Sequence, residues 1–220
     1  MVSEPLPPKP RPLLRAITGG SSTPDAEPEY SDAELFQGIV QGNASIAAEV
    51  YRRLLPVVEA TLFRVMGRRE PEHEDLVQAS FEQIILTLSE RRYAQACSLR
   101  TWASSLAAHV GLKALRSRQR RRKLFNDQVE PELWTERASS SEDVEHDVAM
   151  QREIERLRAE LAEISPEQAE TVLLHDLMGH ALAEIAAITG VSIAAAQSRL
   201  VRGRKLLATR LERAAARAST

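Results

Sequence analysis

Apolar residues recur at helical spacing through most of the chain, and no stretch alternates with period two for long. Ser31-Asp32-Ala33-Glu34 has the pattern of a capping box. It predicts a helix starting there, with Leu35, Phe36, Ile39 and Val40 on its apolar face. Gly42-Asn43 ends it. A second helix is predicted from about Ala44 to Met66, with Ile46, Ala47, Val50, Leu54, Val57, Val58 and Leu62 inward and Pro56 as a site for a kink. Gly67 to Glu70 read as a polar turn. Pro71 and the acids Glu72 to Asp75 suit the first turn of a third helix, marked by Leu76, Val77, Phe81, Ile84, Ile85 and Leu88. After a polar loop, Ser89 to Ser98, a fourth helix spans about Leu99 to Arg122, with Trp102, Leu106, Val110 and Leu115 facing the core.

Residues 124–147 show no clean period apart from a short turn around Pro131-Glu132-Leu133-Trp134, and read as a linker. Val148 to Ile164 turn amphipathic again through Ile154, Leu157 and Leu161. Ser165-Pro166-Glu167-Gln168 caps a helix running to about Met178, closed by Gly179. A short helix, Ala181 to Ile188, then turns at Thr189-Gly190-Val191, where Gly190 can take the positive φ that a side chain would strain. Ser192 opens a last helix to about Leu211. Helix, tight turn, helix is the geometry that inserts a second helix into the DNA major groove. Its outward set is Ala194, Gln197, Ser198, Val201, Arg202 and Lys205, with Arg199 and Arg204 placed for phosphates. Gln suits adenine and Arg guanine. A helical hairpin with a basic tail and no DNA is the plainer alternative.

The expected fold is therefore all-α, with two small helical domains joined by an acidic flexible linker. The expected boundaries are a disordered tail at 1–30, a first helical domain at 31–123, the linker at 124–150 and a helix-turn-helix domain at 151–214. The tail holds seven of the 11 prolines, a composition that cannot bury enough apolar surface to offset its ordering entropy.

The formal charge of −2 conceals segregation. Lys113 to Lys123 carry seven basic residues and no acid. Residues 127–147 carry eight acids against Arg137, and residues 197–217 carry seven basic residues against Glu212. Basic blocks attract phosphates whatever the average charge, although a single charge run is usually a solvated face. Nine aromatics and 9 glycines argue against a many-stranded sandwich or barrel. No apolar run approaches the length of a membrane span, and the first residues lack an apolar signal core, so a cytoplasmic protein is expected.

Enzyme chemistry finds little support. One cysteine, Cys97, excludes a disulfide framework and a thiolate zinc cluster within the chain, and a lone loop cysteine is a weak redox sensor. His175 and His180 are five apart, loose for a helical metal pair. Glu72, Glu74 and Asp75 suit a helix N-terminus better than acid–base work, and no glycine-rich phosphate loop occurs. No catalytic residue, metal or cofactor is expected. The remaining readings are a helix-turn-helix regulator that binds DNA alone and a helical scaffold with no DNA role.

Two blocks then narrow the choice. SPEQAETVLLHDLMGHALAEIAAITGVSIAAAQSRLVRGRKLL resembles the C-terminal DNA-binding domain of extracytoplasmic-function (ECF) sigma factors of bacterial RNA polymerase. EDLVQASFEQIILTL followed by LRTWASSLAAHVGLKALRSRQRRR resembles the N-terminal domain of the same family, in family order and spacing. The resemblance implies a transcription initiation factor that directs the polymerase core, through its β′ and β subunits, to promoter DNA. It leaves room for an anti-sigma factor as a partner, whose existence the sequence does not tell, and the lack of a long apolar run gives no membrane partner. By position, Asp75, Leu76, Gln78 and Phe81 match the polymerase-docking surface. His109, Lys113, Arg116, Arg118, Arg120 and Arg121 match the helix that reads and melts the downstream promoter element, with Tyr93 and Phe125 as candidate base-stacking residues. Gln197, Ser198, Arg199, Val201, Arg202, Arg204 and Lys205 match the upstream-element reader. Trp102 matches a core tryptophan, and the acidic segment matches the connector that threads the polymerase channel. His109 and Lys113 stand where many members carry Asn and Asp, and Gln197 where a basic residue is common.

Overall fold

A computed structural model describes residues 30–67, 72–125 and 141–218. The expectations for the Pro-rich tail, for Pro71 and for the turn near Trp134 lie outside these residues. Among the described residues every regular element is helical: α1 (Asp32–Val40), α2 (Ala44–Met66), α3 (His73–Ser89), α4 (Leu99–Phe125), α5 (Ser141–Glu163), α6 (Pro166–Val172), α7 (Leu182–Thr189) and α8 (Ile193–Ala218), with a π-helical turn at Leu173–Leu177 between α6 and α7.

Local chemistry sets the first boundaries. The Asn43 side chain accepts hydrogen bonds from the Ser45 and Ile46 amides and starts α2. Gly67, in the left-handed conformation, donates to the Phe63 carbonyl and stops it. Pro56 is carried inside α2 on an exposed face. One cap is long-range. Asp32 at the start of α1 accepts the Leu99 amide at 2.7 Å with one carboxylate oxygen and pairs with Arg53 at 3.2 Å with the other. Thus α1 satisfies an orphan donor at the N-terminus of α4.

The first four helices bury Leu35, Val50, Leu54, Val58, Leu62, Ile84 and Leu88 almost completely. An aromatic chain ties the loop before α4 into this core: Phe36 meets Tyr93 edge-on at 5.7 Å, and Tyr93 lies 4.9 Å from Trp102. The inward face of α4 differs from expectation. Leu106 and Val110 are only half-buried, whereas Ala103, Ala107, Ala108 and Leu112 are buried. Helix α4 lies between neighbours on two sides, so small residues rather than the large apolar ones occupy its tightest contacts.

A second cluster runs without a break from Val65, Met66, Ala108, Leu112 and Leu115 to Leu161, Ile164, Leu173, Leu174, Ile185 and Leu200. The two helical domains therefore meet in one continuous buried cluster along α4. Helix α5 begins at Ser141 instead of Val148, so residues expected as linker are helical there. Leu157, expected inward, is 40% exposed, and the inward face is completed by Leu161, Ala162 and Ile164.

Candidate nucleic-acid interface and docking groove

The turn between α7 and α8 is built as its residues require. Glu184 accepts the Ala181 amide at 2.9 Å and caps α7, and the Ser192 hydroxyl accepts the Ala195 amide at 3.2 Å and caps α8. Gly190 sits at φ 68° between them. Behind the turn, α8 crosses α6 closely. A Cβ on Gly203 would come within 2.8 Å of Val172 and 3.2 Å of the Gln168 carbonyl oxygen, so only glycine fits without movement. Ala196, Leu200 and Leu207 anchor the buried side of α8.

The opposite face of α8 is open. Ala194, Gln197, Ser198, Val201 and Arg202 line one shallow concavity of about 370 Å³, and all five are exposed. Lys205 is exposed one turn further along. Arg199 is half-buried. Arg204 turns away from this set: its Nε donates to Asp176 at 2.9 Å, its Nη2 contacts both Asp176 and His175, and the guanidinium holds the Asp176 carboxyl below its usual range. The π turn carries His175 and Asp176 to that position.

The downstream set on α4 splits. Lys113, Arg120 and Arg121 are exposed, and Arg118 is half-buried. Arg116 is half-buried and donates to the Ile164 carbonyl at 3.4 Å. His109 Nδ1 lies 3.7 Å from Glu170 on α6, a charge contact longer than a good hydrogen bond. Lys123 pairs with Glu163 at 2.6 Å, and Arg210 of α8 reaches Glu160 at 2.6 Å. Acids of α5 and α6 thus pair with part of the cationic set on α4 and α8. Tyr93 is no base-stacking residue: it is 4% exposed, its hydroxyl donates to the Cys97 carbonyl, and burial pushes it up to about 12. The Phe125 side chain lies outside the described positions. Burial also raises the Cys97 thiol, which disfavours the thiolate that redox chemistry needs.

Two histidines face the seam between α4 and the C-terminal helices, and they titrate in opposite senses. The Glu170 carboxylate holds His109 above 6.5, whereas burial, against the opposing pull of Glu184, holds His180 below 6.5, 3.5 Å from the Ser104 hydroxyl. The His109 contribution to stability is fully present below pH 6.5 and is lost as pH rises through the raised value. The His180 contribution is present above pH 6.5 and is lost as pH falls through the lowered value. Thermal unfolding followed against pH is expected to show wild type losing its advantage over Glu170→Gln on the alkaline side. His180→Gln is expected to gain on wild type on the acid side. Parallel curves for either pair would remove that histidine from the seam.

The polymerase-docking set also divides. Asp75 and Gln78 are exposed on α3. Leu76 is half-buried and packs toward the shared core. Phe81 is 7% exposed and lies under a groove between α2 and α3, its ring 4.4 Å from that of Tyr51. The α2 side of this groove, Tyr51, Leu55 and Glu59, is absent from the sequence-derived set. Its signal was present: Tyr51 and Leu55 fall one position off the Val50-Leu54-Val58 stripe, and Leu86 falls off the Val77-Phe81-Ile84-Leu88 stripe. Among the described residues no group of three or more metal-ligating side chains converges, and no helix is long and apolar enough to cross a membrane.

The family model for sigma-70 region 2 matches residues 50–121 and that for sigma-70 region 4 matches residues 154–207, between them more than half of the chain. No curated protein matches. Among solved structures the chain is similar to CnrH in complex with the cytosolic domain of CnrY, at 20% identity over 82% of this chain and 97% of that one, with a TM-score of 0.47. It is also similar to the sigma factor RpoE in complex with the anti-sigma factor NepR from Bartonella quintana, at 19% identity over 75% and 96%, with a TM-score of 0.42.

Proposed function

From the premise that the chain belongs to the sigma-70 family, joining region 2 to region 4 in the ECF manner, we propose how its surfaces divide the work of initiation. The chain is an ECF sigma factor, whose family partners are the RNA polymerase core and promoter DNA. RNA synthesis belongs to the polymerase, so this polypeptide is no enzyme; its contribution is binding energy at chosen places. It acts in the cytoplasm, beside the polymerase, and an anti-sigma factor is its expected antagonist.

The exposed concavity of α8 carries the reading. Gln197 and Arg202 present a carboxamide and a guanidinium on one face, in the arrangement that reads base edges in the major groove, with Ser198 between them. Lys205 supplies a phosphate contact. Arg199 is better suited to support than to readout, because it is half-buried, and Arg204 serves to fix the π turn against α8. On α4, Lys113, Arg120 and Arg121 offer charge to the downstream strand at once. His109 and Arg116 reach phosphates only by exchanging Glu170 and the Ile164 carbonyl, so engagement of the downstream element loosens the seam with α5 and α6.

The direct test is run-off transcription with purified polymerase core and this chain on genomic promoter fragments, with co-elution in gel filtration. Start sites that appear only when the chain is added support the reading. Promoter binding by the chain without retention on core would make it a conventional helix-turn-helix regulator. Replacing Arg120 and Arg121 together by Ala is expected to weaken binding to every DNA sequence alike. It should also lower the slope of log affinity against log salt by about 2, one unit per lost phosphate contact. A loss confined to one promoter would contradict a phosphate role.

A further inference from the structure

Arg204 lies seven residues beyond Gln197, so a helix of 3.6 residues per turn puts both on one side of α8. That side borders the concavity of Gln197, Val201 and Arg202. The flank of a helix lying in the major groove faces the phosphate backbone, so a guanidinium there is placed for a phosphate contact. Here it is closed by a fork instead. Its Nε donates to Asp176 Oδ2 at 2.9 Å, and its Nη2 donates to Oδ1 of the same carboxylate. His175 stands behind the fork, with Nδ1 2.8 Å from Asp176 Oδ1. The π turn at Leu173–Leu177 carries both residues to α8.

Stability alone does not account for the fork. Its two side chains are 51% and 35% exposed, and ion pairs that open to water contribute little to folding. The effect on charge is larger. A paired guanidinium presents no net charge to a phosphate, which must displace a bidentate carboxylate to reach it. The carboxylate also repels the strand it faces. We propose that Asp176 is a specificity-determining residue of the upstream-element reader: by holding Arg204 it withholds one sequence-blind phosphate contact from α8. Asp176 acts through Arg204 and is therefore a positioning residue. The inference rests on the reading of α8 as the upstream-element reader and deepens it. Specificity is a difference of affinities, so weakening the sequence-blind part raises it as strengthening a base contact does. Binding then depends more on Gln197 and Arg202. Lys205, next along the chain and exposed, keeps a phosphate contact that fixes register.

Asp176→Asn keeps the size of the side chain and removes its charge. With the full chain, its affinity for a random duplex is expected to rise about threefold or more, and the slope of log affinity against log salt to steepen by about 1, one added phosphate contact. The ratio of affinities for upstream-element and random duplexes is expected to fall. Arg204→Ala should leave affinity for random DNA and its salt slope near wild type, because the wild-type guanidinium is already withheld. Asp176→Asn with Arg204→Ala should behave as Arg204→Ala alone. Asp176→Glu, which keeps the charge, is expected to show the wild-type slope. Tm and far-UV circular dichroism check that each variant is folded. If Asp176→Asn weakens binding to both duplexes together, the pair only holds α8 in place and the proposal is overturned. A slope lowered by about 1 in Arg204→Ala would show that wild-type Arg204 already reaches a phosphate, and would overturn it too. Either result leaves the sigma-factor reading standing, provided that wild type directs polymerase core to start sites. A wild type that directs none, and binds both duplexes alike, would sink that reading and this inference with it.

Discussion

Arg202→Ala is expected to lower affinity for the upstream promoter element by about 1–3 kcal/mol, roughly five- to 150-fold, and to leave binding to random DNA nearly unchanged. The argument is positional. Arg202 is exposed on the concave face of α8, one residue beyond Val201 and four beyond Ser198, while the other arginines of this stretch are occupied or half-buried. Arg204 is held by Asp176, and Arg199 is partly covered. A bidentate guanidinium has one base pair that suits it, so the loss should concentrate at a guanine and relax specificity there. The apolar neighbours give the same surface a second signature. Val201 is 57% exposed beside Ala194, and an exposed branched side chain in a major-groove face suits the methyl group of thymine. Replacing thymines of the upstream element by uracil, one at a time, is expected to weaken wild type at one position and to leave Val201→Ala indifferent there. Competition binding on matched specific and random duplexes checks both statements. An equal loss on the two duplexes for Arg202→Ala would remove its reading role.

The helices that end in strong local signals were legible in the sequence. Asn43 and Gly67 fix α2 at the residues its pattern suggests, and Gly190 with Ser192 fixes the turn before α8. Elements whose limits depend on distant partners were not. The Asp32 cap on α4 joins residues 67 positions apart, which no window of sequence displays. Helix α5 starts early because an acidic stretch without apolar period can still be helical when its C-terminal half is anchored by Leu161 and Ile164. The π turn carries Leu173 and Leu174 into a core shared with α4, a placement invisible along the chain. Site residues divided in the same way. Spacing placed Gln197, Ser198, Val201 and Arg202 on one open face, because a helix face is a local property. Spacing did not show that Tyr93 would be buried, that Leu76 would turn toward the shared core, or that Arg204 would be claimed by Asp176, because each depends on what packs alongside.

That shared core carries the largest expected effect on stability. Leu112 on α4 is 1% exposed and Leu174 on the π turn 0% exposed, and both belong to the cluster that joins α2 and α4 to α5, α6, α7 and α8. Truncating either to Ala removes buried methyl groups and leaves a cavity, expected to lower the unfolding free energy by about 2–5 kcal/mol. What matters is how the loss is distributed. Helices around separate cores would unfold in two transitions, with Leu112→Ala shifting the first and Leu174→Ala the second. One continuous core predicts a single transition, lowered by both variants, with Trp102 fluorescence and far-UV circular dichroism falling together. Trp102 reports this well because it is 6% exposed in the N-terminal core, far along the chain from Leu174. A Leu174→Ala chain whose Trp102 signal melts at the wild-type temperature, while its helical signal falls early, would show that the seam along α4 is a contact between independent bodies. Coincident early melting of both signals would show that the His109, Arg116 and Lys123 contacts rest on one cooperative core.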